Sequence, residues 1–149
     1  MAIKLTPYVF VRIYKATKEF DPPGMSNYTT NESHALIVDD EADICYLLKG
    51  ILRHKNIEAD HVSTLHDAEK FLQDRDPPVI FLDNHLSDGL GINYVRQFKK
   101  EHPHTKIVMI TAHDNSEDRE KAYAEGADFF IGKPFTINII LKTIETICR

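Results

Sequence analysis

Acidic, hydroxyl and basic residues follow four short apolar stretches of this sequence. Asp39 and Asp40 follow "ALIV", Asp83 ends "VIFLD", Thr111 ends "KIVMIT", and Lys133 follows "DFFIG". Carboxylates that lie close together repel one another, but they become favourable around a hard divalent cation, which prefers oxygen ligands. A cation held by carboxylates, with an ammonium group and a hydroxyl beside it, is typical of phosphoryl-transfer chemistry, in which a carboxylate can itself be the nucleophile.

The elements that must position these residues alternate regularly from residue 34 onward. Five strands are predicted, in "HALIVD", "IEADHV", "PPVIFLD", "KIVMIT" and "DFFIG". Five helices are predicted between and after these strands. The first and the last are predicted from apolar residues at helical spacing, which are Ile44, Leu47, Leu48, Ile51 and Leu52 for the first and Ile137, Ile140, Leu141, Ile144 and Ile147 for the last. The other three are predicted in "TLHDAEKFLQ" with Thr64 as N-cap, in "INYVRQFKKEH", and in "SEDREKAYAEG", which Gly126 ends.

Five such β–α units predict an α/β fold with a doubly wound parallel sheet that helices cover on both faces. The continuous apolar strands "ALIV", "VIFL" and "IVMI" fit a sheet that is buried on both sides. Ligands of such folds bind beyond the carboxyl ends of the strands. The polar residues at the strand ends should therefore face one crevice.

Composition narrows the class of protein. The formal net charge of −5 argues against binding to a nucleic acid backbone. No run of 18 apolar residues is present, and the N-terminus lacks the pattern of a secretory signal, so we expect no membrane span and a cytoplasmic location. Cys45 and Cys148 have no metal-binding spacing and are expected to remain reduced thiols without a disulfide between them.

Residues 1–33 differ from the rest and are predicted to be an N-terminal extension and linker, followed by a domain over 34–149. Residues 1–24 hold four basic and two acidic side chains, net +2, which leaves −7 for residues 25–149. "YVFVRIY" could form an extra strand or a docking segment, and "DPPGMSNYTTNES" is typical of a linker. We expect residues 1–24 to be dispensable for the chemistry, and Met25 is a candidate initiator.

Four segments in order resemble the receiver domain of two-component response regulators, of the chemotaxis-regulator type: "LIVDDE", "VIFLDNHLSDGLG", "MITAH" and "GADFFIGKPF". The resemblance covers about residues 33–149. It implies a five-stranded sheet of order 2-1-3-4-5 with five helices, and a phosphoacceptor switch in a phosphorelay.

The family's phosphoryl-site roles map onto residues of this sequence. Asp83 matches the phosphorylated aspartate, Thr111 the hydroxyl that binds the phosphoryl group, and Lys133 the lysine that pairs with the phosphoryl group. The resemblance also implies a cis peptide bond between Lys133 and Pro134. Phe130 matches the aromatic residue that moves inward on activation, so Thr111 and Phe130 are the expected switch pair.

The resemblance also implies Mg²⁺, with Mn²⁺ as an alternative. Its ligands would be Asp40 directly, Asp39 mainly through water, Asp83, and the backbone carbonyl of His85. His85 and His113 stand at variable rim positions that tune dephosphorylation in the family. Ser87, where many members have proline, should loosen the loop slightly.

The implied partners are a sensor histidine kinase or phosphotransfer protein and a downstream protein target. The target would meet a surface formed by roughly residues 112–148, without direct nucleic acid or membrane binding by this chain. Beyond phosphorylating and dephosphorylating itself, the protein is not expected to be an enzyme.

Other functions stay open at this point. The chain could be the receiver fragment of a longer regulator whose output domain is missing. A metal-dependent phosphohydrolase of the haloacid-dehalogenase type also uses an aspartate at a strand end, but it needs a second aspartate two residues later, where this chain has His85. A receiver-like interaction module would normally have lost one of the acidic pair, Asp83 or Lys133, and all are present.

Overall fold

The computed structural model describes residues 34–148 of the chain. The N-terminal extension, its predicted boundary after residue 33, the "YVFVRIY" strand and Met25 lie outside the described residues and stay predictions.

Five parallel strands form a single sheet whose order matches the predicted 2-1-3-4-5. Along the sheet the order is β2-β1-β3-β4-β5, and each neighbouring pair is parallel. The strands are β1 (His34–Val38), β2 (Glu58–Val62), β3 (Val79–Asp83), β4 (Lys106–Thr111) and β5 (Phe129–Gly132). All of β3 and nearly all of β1 and β4 are buried, as their continuous apolar sequences predict.

Five helices cover the two faces of this sheet and give it two hydrophobic cores. The helices are α1 (Ala42–Arg53), α2 (Leu65–Asp74), α3 (Val95–Glu101), α4 (Ser116–Glu125) and α5 (Ile137–Ile147). Residues from α1 and α5 pack on one face, and residues from α2, α3 and α4 pack on the other. Successive strand residues point to opposite faces, so each strand supplies both cores. Within the described residues, every helix is too short or too polar to cross a bilayer.

Polar caps fix where several helices begin and end. The hydroxyl of Thr64, predicted as an N-cap, accepts a hydrogen bond from the N–H of Asp67 at 3.1 Å. Asn115 and Thr136 cap α4 and α5 in the same way. Gly126 ends α4 in the left-handed conformation, with φ of 108°. Asn115 and Thr136 therefore end the two connections that follow Thr111 and lead through Lys133.

The structure differs from the predicted elements mainly at positions whose conformation or exposure depends on tertiary packing. The helix predicted from "INYVRQFKKEH" begins as a 3-10 turn over Gly91–Tyr94 and becomes α-helical only at Val95. Leu47 and Ile137, assigned to buried helical faces, are 40% and 55% exposed. Neither belongs to the hydrophobic core that α1 and α5 form against the sheet.

The loop after β3 contains a short antiparallel hairpin that was not predicted. Its two strands have two residues each, and His85–Leu86 pairs with Gly89–Leu90. The N–H of Gly91 donates to the carbonyl of Asn84 at 2.8 Å, and the N–H of Ile92 donates to the side-chain oxygen of Asn84 at 3.0 Å. This loop therefore leaves the end of β3 in a fixed conformation.

The two cysteines are free thiols, as predicted. Cys45 lies on the buried face of α1, and Cys148 lies partly buried at the end of α5. Burial raises the pKa of both thiols. Each thus behaves as a packing residue rather than as a reactive thiolate.

We expect Gly91→Ala to destabilise the fold by about 1–3 kcal/mol, the usual cost of overpacking. A Cβ at Gly91 would overlap the backbone carbonyl oxygen of Asp83 and press on Leu82, and neither can move without shifting β3. Urea denaturation measures the free energy of unfolding. The matched control is Gly50→Ala in α1, where nothing lies within 4 Å of an added Cβ. That change should stabilise by about 0.5–1 kcal/mol because alanine is the better helix former. Equal effects of the two substitutions would contradict the close approach at Gly91.

Candidate functional site

The carboxyl ends of the strands bring most of the predicted site residues together. Asp39 follows β1, Asp83 ends β3, and Lys133 follows β5, and they meet although they are far apart in sequence. The Lys133 Nζ lies 2.9 Å from Asp39 Oδ2 and 3.5 Å from Asp83 Oδ2. Thr111, at the end of β4, pairs in register with Gly132, and its carbonyl accepts a hydrogen bond from the N–H of Lys133 at 2.7 Å. Parallel strands with a common edge account for this convergence.

The ammonium group of Lys133 supplies a positive charge within the site. Its side chain is only 9% exposed, and its ammonium group donates to Asp39 Oδ2 and to Glu41 Oε1, each at 2.9 Å. Burial opposes the charge, but the hydrogen bonds to Asp39 and Glu41 and the charge of Asp83 outweigh it and raise the pKa of Lys133. The bond between Lys133 and Pro134 is cis, as the resemblance implied.

Asp83 lies in an environment that disfavours its charge. Its side chain is 6% exposed. Burial raises the pKa of the carboxyl group, and the charge of Asp39 raises it further. Lys133 and the N–H groups of Asn84 and His85 lower it to a smaller extent. A buried carboxylate with one cation beside it is therefore under-compensated, and a second cation would stabilise it.

Three carboxylates in the described part of the chain lie close enough together to hold a metal ion. Ligand atoms of Asp39, Glu41 and Asp83 all lie within 4.8 Å of one another. Oxygen donors of this kind fit a hard divalent cation such as Mg²⁺. That Lys133 already lies among them also indicates that the cluster requires positive charge.

The predicted acidic pair divides into a buried and an exposed member. Asp39 is 3% exposed, and both its oxygens accept hydrogen bonds, Oδ1 from the N–H of Glu41 and Oδ2 from Lys133. Asp40 is exposed and lies outside the cluster of three. Its carboxylate must turn toward Asp83 to bind the same cation. Its direct role, the water-mediated role of Asp39 and the carbonyl of His85 as a ligand stay predictions.

The expected switch residues are both buried. The Thr111 hydroxyl accepts a hydrogen bond from the N–H of His113 at 3.3 Å. Phe130, 6% exposed, packs within the core on the α2–α4 side of the sheet. The guanidinium carbon of Arg119 lies 4.9 Å from the centre of the Phe130 ring. The aromatic ring is thus inward in this structure, while its movement on activation stays a prediction.

The two rim histidines, His85 and His113, lie against each other. Their rings are 4.5 Å apart between centroids and tilted by 51°, and both residues are exposed. They follow Asp83 and Thr111 by two positions each, which places them beside the mouth of the site. Their effect on dephosphorylation stays a prediction.

One site residue, Glu41, and one residue of the loop after β3, Asp88, were not predicted from the sequence. Glu41 binds Lys133, and the signal for it was the third acidic residue in "DDE". Asp88 accepts hydrogen bonds at 3.0 Å from the N–H groups of both Leu65 and His66, which join the loop after β3 to the start of α2. These N–H groups lower the pKa of Asp88. No local pattern marked this contact, because it joins segments distant in sequence.

We expect Asp83→Asn to raise the free energy of unfolding in metal-free buffer at neutral pH. Because the folded pKa of Asp83 is raised, its ionised form costs stability above the unfolded value of about 3.9, and asparagine removes this cost. The advantage should shrink as pH falls through the folded pKa and vanish below the unfolded one. Denaturation with EDTA at a series of pH values measures this. The exposed Asp43→Asn in α1 is the control and should give no gain. A destabilised Asp83→Asn at neutral pH would contradict the electrostatic account.

Comparison with known proteins identifies the family. A family model described as the response regulator receiver domain matches residues 35–145. The chain is 38% identical over 115 residues to the nitrogen assimilation regulatory protein NtrX of Azorhizobium caulinodans, a match that covers 74% of this chain and 25% of that protein. It is 31% identical over 116 residues to the phosphate regulon transcriptional regulatory protein PhoB of Escherichia coli, covering 76% and 51%.

Solved structures agree with this assignment. The beryllofluoride-activated NtrC4 receiver domain dimer superposes with a TM-score of 0.74 at 35% identity, covering 77% of this chain and 95% of that one. The chain spans about a quarter to a half of the length of these two curated relatives. The five-stranded parallel sheet with its five helices agrees with the receiver-domain fold. The chain belongs to the response regulator receiver domain family.

Proposed function

We propose that this receiver domain is a phosphoacceptor whose Asp83 takes a phosphoryl group, in the presence of Mg²⁺, from a sensor histidine kinase or a phosphotransfer protein. One observation carries the proposal: a buried, under-compensated Asp83 carboxylate lies 3.5 Å from a buried ammonium group and beside Asp39. A structural ion pair would not require two buried carboxylates next to one lysine.

The residues of the chain supply nearly all of the chemistry. An oxygen of Asp83 attacks the phosphorus atom, and the donor's leaving group departs with the bonding electrons, which gives an acyl phosphate on Asp83. Lys133 pairs with a phosphoryl oxygen, and the Thr111 hydroxyl turns from the N–H of His113 to donate to another. Bound by Asp40, Asp83 and the backbone carbonyl of His85, with Asp39 acting through water, Mg²⁺ or Mn²⁺ would neutralise charge on the phosphoryl oxygens.

Signalling would follow from a shift between two states. When the Thr111 hydroxyl moves toward the phosphoryl group, it would vacate space that the Phe130 ring then fills, and α4, β5 and α5 over residues 112–148 would respond. The contact of Arg119 with both Phe130 and Asp114 supports a link from the ring to the outer surface of α4. We propose that a downstream protein reads this surface.

The wider role is also part of the proposal. The protein would act as a signalling switch rather than as an enzyme with a separate substrate, and its only catalysis would be on its own phosphoryl group. Two free thiols fit a reducing compartment, and we place the protein in the cytoplasm.

Acetyl phosphate with Mg²⁺ should add one phosphoryl group to the wild-type protein, and none to Asp83→Asn. The receiver provides the nucleophile and the charge stabilisation, so a small donor suffices. Intact-mass spectrometry measures the product, and EDTA should abolish it. Asp43→Asn, which removes an exposed carboxylate from the first turn of α1, is the matched control and should label normally. Equal labelling of Asp83→Asn and wild type would refute the assignment of the phosphoacceptor.

Asp40→Ala should weaken Mg²⁺ binding more than Asp39→Ala does. The oxygens of Asp39 are already engaged by Glu41 N–H and Lys133, whereas Asp40 is exposed and free to turn onto the cation. Loss of an outer partner typically costs about 10- to 100-fold in metal affinity, and a direct ligand should cost more. Amide chemical shifts followed during Mg²⁺ titration give both affinities. A larger loss with Asp39→Ala would reverse the assigned roles.

A further inference from the structure

Glu41 makes a contact that the phosphoryl chemistry does not use. Its Oε1 accepts a hydrogen bond from the Lys133 ammonium group at 2.9 Å, as short as the bond from Lys133 to Asp39. The Glu41 side chain is 57% exposed, whereas that of Lys133 is 9% exposed. Glu41 thus covers the ammonium group from the solvent side of the site.

The backbone of Glu41 is held in place while its carboxylate is left available. Its N–H donates to Asp39 Oδ1 at 2.9 Å, and its carbonyl accepts from the N–H of Cys45 at 3.2 Å. It is the N-cap residue of α1, but its side chain makes no capping hydrogen bond. The backbone at the start of α1 therefore holds Glu41 where its carboxylate can contact Lys133.

The ammonium group has a limited number of donors. Two of its three N–H bonds serve Asp39 and Glu41 at 2.9 Å, and Asp83 lies further away at 3.5 Å. The two short bonds hold the ammonium group on the Asp39 side of the site, so a move toward a phosphoryl oxygen on Asp83 would lengthen them. A contact made only in the phosphoryl-free state shifts the population against the other state.

We propose that Glu41 is a positioning residue that retains Lys133 on the Asp39 side of the site and thereby lowers the affinity of Asp83 for a phosphoryl group. This inference rests on the proposed function. Although Glu41 belongs to the cluster that could hold a metal ion, its carboxylate is engaged by Lys133, and in this proposal it acts through that contact.

Beryllofluoride, a phosphoryl mimic, tests this on the full chain at saturating Mg²⁺. Glu41→Gln and Glu41→Ala should bind it about two- to tenfold more tightly than wild type, with alanine at least as tight as glutamine, because a partly exposed charged hydrogen bond is lost. Asp43→Asn, two residues further on and exposed, is the control and should bind like wild type. Weaker binding by both Glu41 variants would overturn the inference and would favour Glu41 as a metal ligand.

A double-mutant cycle with Lys133→Met separates positioning from a simple change in charge. If Glu41 acts through Lys133, Glu41→Gln should no longer tighten beryllofluoride binding in the Lys133→Met background. A gain that persists there would overturn the inference, since it would reflect repulsion through space.

A second readout does not depend on Lys133→Met. The NMR signals of the Lys133 ε-methylene group in metal-free protein should move in Glu41→Gln and stay in place in Asp43→Asn; unmoved signals in Glu41→Gln would also overturn the inference. If wild type bound no beryllofluoride with Mg²⁺, the proposed function would fail together with the inference. If wild type bound beryllofluoride but Glu41 and Lys133 showed no coupling, only the inference about Glu41 would fail, and the proposed function would stand.

Discussion

The contact between one buried ammonium group and three carboxylates is the interaction on which the rest of this molecule depends. Asp39 and Asp83 are both almost fully buried, and two such charges without a cation would be too costly to keep ionised. Lys133 offsets part of this cost, yet the pKa of Asp83 stays raised. The fold therefore preserves a site that still favours additional positive charge, and the phosphoryl chemistry proposed for it would exploit that imbalance.

The sheet and its loops hold these charges at fixed separations. The parallel strands end at one edge, so a shift in the register of β5 would move Lys133 away from Asp39 and Asp83. The loop after β3 is fixed by hydrogen bonds from Gly91 and Ile92 to Asn84, and a glycine is needed where the chain passes the Asp83 carbonyl. A rigid support of this kind confines movement to side chains such as Lys133 and Thr111, whose hydrogen bonds can be exchanged.

Much of the fold and of the site could be predicted from local sequence, for physical reasons that differ between elements. Strands β1, β3 and β4 are buried on both faces, so their apolar runs were unambiguous, and Thr64 and Gly126 carried ordinary capping signals. The exposure of Leu47 could not be predicted, because it depends on how far the sheet extends beneath α1. The burial of Asp39 beside an exposed Asp40, and the turn of Glu41 toward Lys133, likewise depend on residues about 90 positions away.

The central claim is that the carboxylate cluster exists to receive a cation and a phosphoryl group, with Lys133 exchanging one partner for another. An experimental structure with Mg²⁺ and beryllofluoride tests it most directly. The account predicts beryllofluoride on an oxygen of Asp83, the Lys133 ammonium group and the Thr111 hydroxyl on its fluorine atoms, and the cation against Asp40 and Asp83. A structure with no beryllofluoride on Asp83, or with Lys133 still bound to Asp39 and Glu41 beside it, would contradict the account.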